Sequence, residues 1–141
     1  MILAEPLPAN IARHVNAVPF NAALGIRYAR SGPGWLEATL SCDGDLVRPA
    51  TPAIAMGVIT CLIDATCGAT VLMSCGPVRP SVTLNLQVDL VRPGLAGATL
   101  HARAKCIDMD DQVAFVQARI KDGEGAVVAT GLAKFLFVRD E

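Results

Sequence analysis

One segment of the sequence decides the fold, and it reads AIAMGVITCLIDATCGATVLMSC from Ala53 to Cys75. It is too long for a strand and shows no period of two, and apolar residues occupy almost every face of the corresponding helix. We therefore predict a deeply buried central helix from Ala53 to about Ser74. Its only charged residue is Asp64, near the middle. A central Asp costs a membrane-spanning helix roughly 2.5–3.5 kcal/mol, so we interpret the segment as a core helix rather than a membrane span.

The sequence after this helix has the character of β-strands. Apolar and polar residues alternate from Val82 to Leu90, which is typical of a strand. Three further segments of strand character follow, separated by Arg92-Pro93-Gly94, by an acidic turn over residues 108–111, and by a Gly-containing turn over residues 122–125. We predict a four-stranded antiparallel meander whose strands cover residues 82–90, 99–106, 112–121 and 126–138.

The N-terminal third adds a strand over residues 34–40 and a short helix over residues 11–16. A helix that is apolar on all sides needs a sheet to cover it, so we predict an α+β fold in which a curved antiparallel sheet wraps around the long central helix. Since no repeat, low-complexity tract or linker divides the chain, residues 1–141 are predicted to form one domain.

Composition restricts the partners. Twelve Lys and Arg residues oppose thirteen Asp and Glu residues, for a net charge of -1, which provides no basic field for nucleic acid or an anionic membrane. With 52% hydrophobic and only 18% charged residues, the chain is expected to cover apolar surface against a second subunit. Five cysteines without a C-x-x-C pair indicate reduced thiols, and the first six residues lack the features of a secretion signal. These patterns predict a cytoplasmic homo-oligomer that binds neither nucleic acid nor membrane.

Asp64 is the main candidate for chemistry. A buried carboxylate without partners costs several kcal/mol, so such a residue is either functional or satisfied by structural hydrogen bonds. The structural alternative is that Asp64 accepts bonds from Thr60 or from a neighbouring strand at a subunit interface. Cys61 and Cys67 lie on roughly the same helix face, and a nearby carboxylate raises the pKa of a thiol, so we interpret both as core residues.

Other catalytic machinery is not apparent in the sequence. No G-x-S-x-G elbow occurs, and His14 and His101 fall on a predicted surface helix and on the polar face of a strand. The histidines and cysteines show no metal-ligand spacing, and the turn at Gly32-Pro33-Gly34 does not have the form of a phosphate-binding loop. We therefore predict no metal and no separate cofactor.

The sequence resembles the hotdog-fold thioesterases, specifically the small acyl-CoA thioesterases of the phenylacetate-pathway and 4-hydroxybenzoyl-CoA type. The resemblance covers about residues 18–138 and includes the helix motif that ends in Leu62-Ile63-Asp64. The other matching pieces are Pro19-Phe20, Leu24-Gly25-Ile26, Gly57-Val58, Gly68, the strand from Ser81 to Pro93, Asp122-Gly123 and Val128-Ala129.

The resemblance implies a hotdog fold and a homodimer, or a dimer of dimers (homotetramer), that hydrolyses an acyl thioester with coenzyme A as part of the substrate. Asp64 would act as nucleophile or base, the backbone N–H of Met56 with that of Gly57 would polarise the thioester carbonyl, and Thr83 of the partner subunit would position the carboxylate or water. The candidate contacts for the coenzyme A phosphates are Arg79, Arg92 and Arg103.

The chain also departs from this family. Where His-Gly-Gly usually begins the helix, it has Ala55-Met56-Gly57, and Pro49 occupies the place of a loop Asn. Thr51-Pro52 has the form of an N-cap and first helical residue, which predicts an early helix start with the Met56 N–H bonded to Pro52. The alternative to a thioesterase is therefore a non-catalytic hotdog domain that binds acyl thioesters or another apolar ligand. A dehydratase would need a helix His that the sequence does not supply.

Overall fold

The computed structural model describes residues 7–139 and contains three α-helices and six strands within that range. The prediction that the chain lacks a secretion signal rests on the first six residues. These lie outside the described residues. The helices are α1 (Ala9–Asn16), α2 (Pro19–Leu24) and α3 (Met56–Ser74), with a 3₁₀ turn at Gly44–Leu46. The strands are β1 (Arg27–Gly32), β2 (Trp35–Ser41), β3 (Ser81–Leu90), β4 (Thr99–Met109), β5 (Val113–Lys121) and β6 (Val127–Phe137).

All six strands form one antiparallel sheet in the order β1-β2-β4-β5-β6-β3, and α3 packs on its inner face. The α+β architecture with a central helix is therefore confirmed. The predicted meander is correct for β4, β5 and β6, but it is wrong for β3, which pairs with β6 instead of β4. The reason is that β2 pairs with β4 over seven residues and occupies that edge.

The strand β1 was not predicted, because its sequence RYARSG has no alternation of apolar and polar residues. It pairs with β2 at one edge of the sheet, where Ser31 is its only buried residue. An edge strand that is covered on one side only needs few apolar residues, so its sequence pattern does not distinguish it from a loop.

The helix α3 begins at Met56, three residues later than predicted. Ala53 and Ile54 are extended instead, in bridges to Leu95 and Val47, and the Ile54 N–H donates to the Gly94 carbonyl at 2.8 Å. These bonds to neighbouring loops outweigh the local preference of Thr51-Pro52 for a helix start.

The inner face of the sheet is lined by small side chains. Seven buried alanines on β2, β4, β5 and β6 face α3, and they are Ala38, Ala102, Ala104, Ala114, Ala118, Ala129 and Ala133. On β6, a Cβ added at Gly131 would lie 2.7 Å from Ile63 Cγ2 of the helix. Small residues therefore allow α3 to lie close against the sheet.

By length and hydropathy α3 could cross a membrane, and it is the one such helix among the described residues. Half of its apolar window is buried inside the protein. This packing is that of a core helix, as predicted.

Candidate active site

One stripe of α3, the open stripe, is only partly covered by the sheet. Gly57, Cys61, Asp64 and Gly68 are spaced by three or four residues and so share a face, and none of them is fully buried. The opposite face includes Ile59, Leu62 and Ile63, which are at most 1% exposed. The predicted sheet around the central helix is confirmed, but α3 is less deeply buried than predicted, because the side opposite the sheet keeps an open stripe.

Asp64 lies in the middle of this open stripe and is partly buried. Its Oδ1 accepts a hydrogen bond of 2.8 Å from the Thr83 hydroxyl on β3. The second oxygen, Oδ2, has no hydrogen-bond donor within residues 7–139. Thr60, considered above as a structural partner, donates instead to the Met56 carbonyl at 3.1 Å. One carboxylate oxygen is thus fixed and the other remains available to a bound molecule.

A β-bulge turns Thr83 towards the helix. Thr83 lies opposite Phe135 of β6, whereas Asn85 lies opposite the next residue, Lys134, so Leu84 is an extra residue in β3. Phe135 faces the core, and its cross-strand neighbour Thr83 therefore faces α3 as well. The prediction that Thr83 reaches the carboxylate from the partner subunit is wrong, since it binds Asp64 of its own chain.

The start of α3 offers unpaired backbone donors. Ala55 occupies the N-cap position, and no side chain caps the helix. Because the helix begins at Met56, the Pro52 carbonyl accepts from the Ala96 N–H instead of from Met56. The N–H groups of Met56 and Gly57 have no acceptor in the described part of the chain, and both residues are exposed. A helix start of this kind favours a negatively charged oxygen.

These donors and the carboxylate lie too far apart within one chain to act on the same atom. Gly57 and Asp64 share a helix face but are seven residues apart, which corresponds to about 10 Å along the axis. Hydrogen bonds to a reacting group require about 3 Å. A site that uses both must combine two copies of the helix.

The thiols near Asp64 are not activated. Burial, with a smaller contribution from the Asp64 charge, raises the pKa of Cys67 and of Cys61 above the usual thiol value. Cys67 is fully buried, and Cys61 is partly buried. The prediction of a core residue is confirmed for Cys67 but is wrong for Cys61, which lies on the open stripe outside the core. The raised pKa of both thiols disfavours a role as nucleophile.

The structure does not bring the three candidate phosphate contacts together. Arg79 precedes β3 and donates to the Asp111 carbonyl at 2.9 Å. Arg92 follows β3 and is exposed. Arg103 lies on the outer face of the sheet, away from α3, where it forms an ion pair with Glu37 at 2.6 Å. Only Arg79 and Arg92 thus flank the strand that carries Thr83.

The histidines lie away from the open stripe. His14 is exposed on α1, and His101 is exposed on the outer face of β4. Within residues 7–139, no group of three His, Cys, Asp or Glu residues is arranged to hold a metal ion.

Comparison with known proteins identifies one matching family and several similar structures. The model of the family described as the thioesterase superfamily matches residues 54–129, which is more than half of the chain. No curated protein matches the chain.

Several solved structures are similar over nearly the whole chain. A Bordetella protein of the thioesterase superfamily is 28% identical, with a TM-score of 0.80 over 92% of this chain and 96% of that one. The Escherichia coli PaaI protein, from the phenylacetic acid degradation operon, is 20% identical with a TM-score of 0.85 over 92% and 91% of the two chains. A Haemophilus influenzae thioesterase is 19% identical with a TM-score of 0.83 over 99% and 96%.

Proposed function

The chain belongs to the thioesterase superfamily, and we propose that it hydrolyses an acyl-CoA, or a related acyl thioester, to the free acid and the thiol. The observation that carries this proposal is the carboxylate of Asp64 on the open stripe of α3. Thr83 holds one of its oxygens at 2.8 Å, and the other is free to reach a bound substrate or water. No other carboxylate lies on this stripe among the described residues.

In the proposed reaction, Asp64 Oδ2 takes a proton from a water molecule as the water oxygen bonds to the thioester carbonyl carbon. The carbonyl oxygen gains negative charge and accepts hydrogen bonds from backbone N–H groups at a helix start. When the tetrahedral intermediate collapses, the C–S bond breaks and the leaving thiolate takes the proton held by Asp64. In the nucleophilic variant, Asp64 itself bonds to the carbonyl carbon, the C–S bond breaks to release the thiolate, and water then cleaves the resulting anhydride to the free acid and the Asp64 carboxylate.

A homodimer would complete this site. The axial distance of about 10 Å between Gly57 and Asp64 requires donors from a second α3, running antiparallel to the first. The strand β3 supports such pairing, because it is the last strand in the sheet order and one of its edges has no partner strand within residues 7–139. Val82, Leu84 and Leu90 on this strand are 47–53% exposed, which is apolar surface that a partner would cover. Two copies of β3 side by side around a two-fold axis would place Asp64 of one subunit near Met56 of the other.

Arg79 and Arg92 remain the proposed contacts for the coenzyme A phosphates, because they flank β3 at its two ends. Arg103 is less suited to this role, since it lies on the outer face and is paired with Glu37. The proposed enzyme needs no cofactor or metal.

The test is a comparison of the wild-type chain with Asp64→Asn on a panel of acyl-CoA substrates, with release of free thiol as the readout. Asn keeps the size of the side chain and can still accept from Thr83, but it cannot take a proton or form an anhydride. We expect kcat to fall at least about a hundredfold, as is typical for loss of a positioned base. Calorimetry should show that the variant still binds the substrate. A variant with wild-type rates would show that Asp64 is not the catalytic group.

The same panel separates this proposal from its alternative. The replacement of His-Gly-Gly by Ala55-Met56-Gly57 favours a domain that binds thioesters without cleaving them. Tight binding of an acyl-CoA by the wild-type chain without thiol release would select that alternative. Absence of binding for every thioester would contradict both.

A further inference from the structure

A basic groove lies on the outer face of the sheet, on the side away from α3. It has a volume of about 650 Å3 and runs across β1, β2, β4 and β5. Five of the twelve Lys and Arg residues line it, but only one of the thirteen Asp and Glu residues does so. Its charged lining consists of Arg30, Glu37, Arg103, Lys105, Arg119 and Lys121. A chain with a net charge of -1 therefore concentrates positive charge in one place.

Two like charges lie directly opposite one another in this groove. Arg103 of β4 is the cross-strand neighbour of Arg119 of β5. Such pairs destabilise a sheet when nothing neutralises them. Arg119 and Lys121 form no ion pair with any residue of the described chain. Glu37 neutralises only the Arg103 side of this pair, so the Arg119 and Lys121 charges are left without a carboxylate in the described chain, as expected for a surface that meets an anion.

On one side of the groove, ion pairs and ring contacts hold the arginine side chains in place. Glu37 forms ion pairs with Arg103 at 2.6 Å and with Arg30 at 3.6 Å. The same two guanidinium groups lie over the indole ring of Trp35, at 4.5 Å and 5.9 Å from its centroid. Gly32 allows the indole to lie against the backbone, because a Cβ there would be within 2.3 Å of it. Guanidinium groups fixed in this way lose little freedom when they bind a ligand.

We propose that this groove binds a small ligand with adjacent phosphates, such as inorganic triphosphate or a nucleoside triphosphate, at a site separate from that of the thioester. Arginine binds phosphate oxygens through paired hydrogen bonds, and the groove has the volume of a small-molecule site. A single-stranded nucleic acid would need an exposed aromatic surface for its bases, whereas Arg103 and Arg30 lie over Trp35. The groove and Asp64 lie on opposite faces of the sheet, so the two ligands would not compete.

The test uses the full chain and inorganic triphosphate, at physiological ionic strength. Trp35 is the only tryptophan, so its fluorescence reports on the groove directly, and calorimetry gives an independent affinity. We expect saturable binding that weakens at least about tenfold in the double variant Arg119→Gln, Lys121→Gln, since two charge-assisted contacts are lost. The matched control is Arg13→Gln, Arg48→Gln, which removes the same charge from exposed positions outside the groove and should change the affinity less than about twofold.

Three results would overturn the proposal. The first is the absence of saturable binding up to about 1 mM triphosphate, because a preformed site is expected to bind with a micromolar Kd. The second is an equal loss of affinity in the control variant, which would mean that net charge alone attracts the ligand. The third is displacement of triphosphate by coenzyme A, which would assign the groove to the thioester substrate. Circular dichroism of each variant verifies that the fold is retained.

Discussion

Thr83 donates a hydrogen bond of 2.8 Å to Asp64, and it can do so because β3 has one residue more than the strand beside it. The extra residue, Leu84, changes which face of the sheet the preceding residues occupy. Without the bulge, Thr83 would lie on the outer face together with Asn85 and Gln87. The only side chain that fixes the Asp64 carboxylate in the described chain thus depends on an irregularity of the strand.

Replacement of Thr83 by Val is expected to lower kcat by about ten- to a hundredfold, because a hydrogen bond to a charged group contributes about 1.5–3 kcal/mol. Val keeps the shape of the side chain, so KM and the melting temperature should change little. Thr83→Ser keeps the hydroxyl and should restore most of the rate. Steady-state kinetics on an acyl-CoA substrate measure both variants. Equal kcat for Val and Thr would show that the bond has no part in the reaction.

A mixture of two inactive variants is expected to recover activity if the site combines two subunits. Asp64→Asn removes the carboxylate, and Met56→Pro removes a backbone donor at the first helical position, where proline is tolerated. In a mixed dimer, one of the two sites would pair an intact Asp64 with an intact helix start. We expect each variant alone to be impaired, and activity to appear when the two are refolded together.

Met56→Ala, which retains the N–H, is the control and should stay active. If each site lay within a single chain, every site in the mixture would carry one defect. Mixing would then restore nothing, and the proposed arrangement of the dimer would be wrong.

Substitution of Gly131 by Ala is expected to destabilise the protein by about 1–3 kcal/mol, as is usual when a methyl group is forced into a packed core. The new Cβ would lie 2.7 Å from Ile63 Cγ2 and 3.3 Å from Ile63 Cδ1. The matched control is Gly123→Ala in the β5–β6 turn, where nothing lies within 4 Å of the added atom. Urea unfolding measures the difference. Equal stability of the two variants would mean that α3 does not lie as close to β6 as described.

Much of the fold could be predicted from the sequence, because apolar periodicity directly reflects burial. The period of two from Val82 to Leu90 identified β3, and the long apolar run identified α3. The position of β3 in the sheet could not be predicted in this way, since the pattern shows which side of a strand is buried and not which strand lies beside it. The start of α3 was missed because bonds to the Gly94 and Leu46 carbonyls hold the preceding residues extended.

The candidate site was predictable in part. Asp64 stood out as the one charge in an apolar run, and its place on an open stripe explains how a carboxylate is tolerated there. The role of Thr83 was predicted from a family resemblance. The face of the sheet on which Thr83 lies depends on the bulge in β3, and the alternation of residues alone would place Thr83 on the wrong face. The basic groove was also missed, because its residues are far apart in sequence and converge only when β1, β2, β4 and β5 pair.

The small residues on the inner face of the sheet have a consequence for engineering this protein. They set how far α3 stands from β3, and therefore whether the Thr83 hydroxyl can reach Asp64. Exchange of Ala118 or Ala133 for valine would add apolar contacts of the sort chosen to raise thermal stability, but it would also push the helix outwards. The rate of hydrolysis would then fall although the substituted residues do not touch the substrate. Selection for higher stability at these positions would therefore lower the activity.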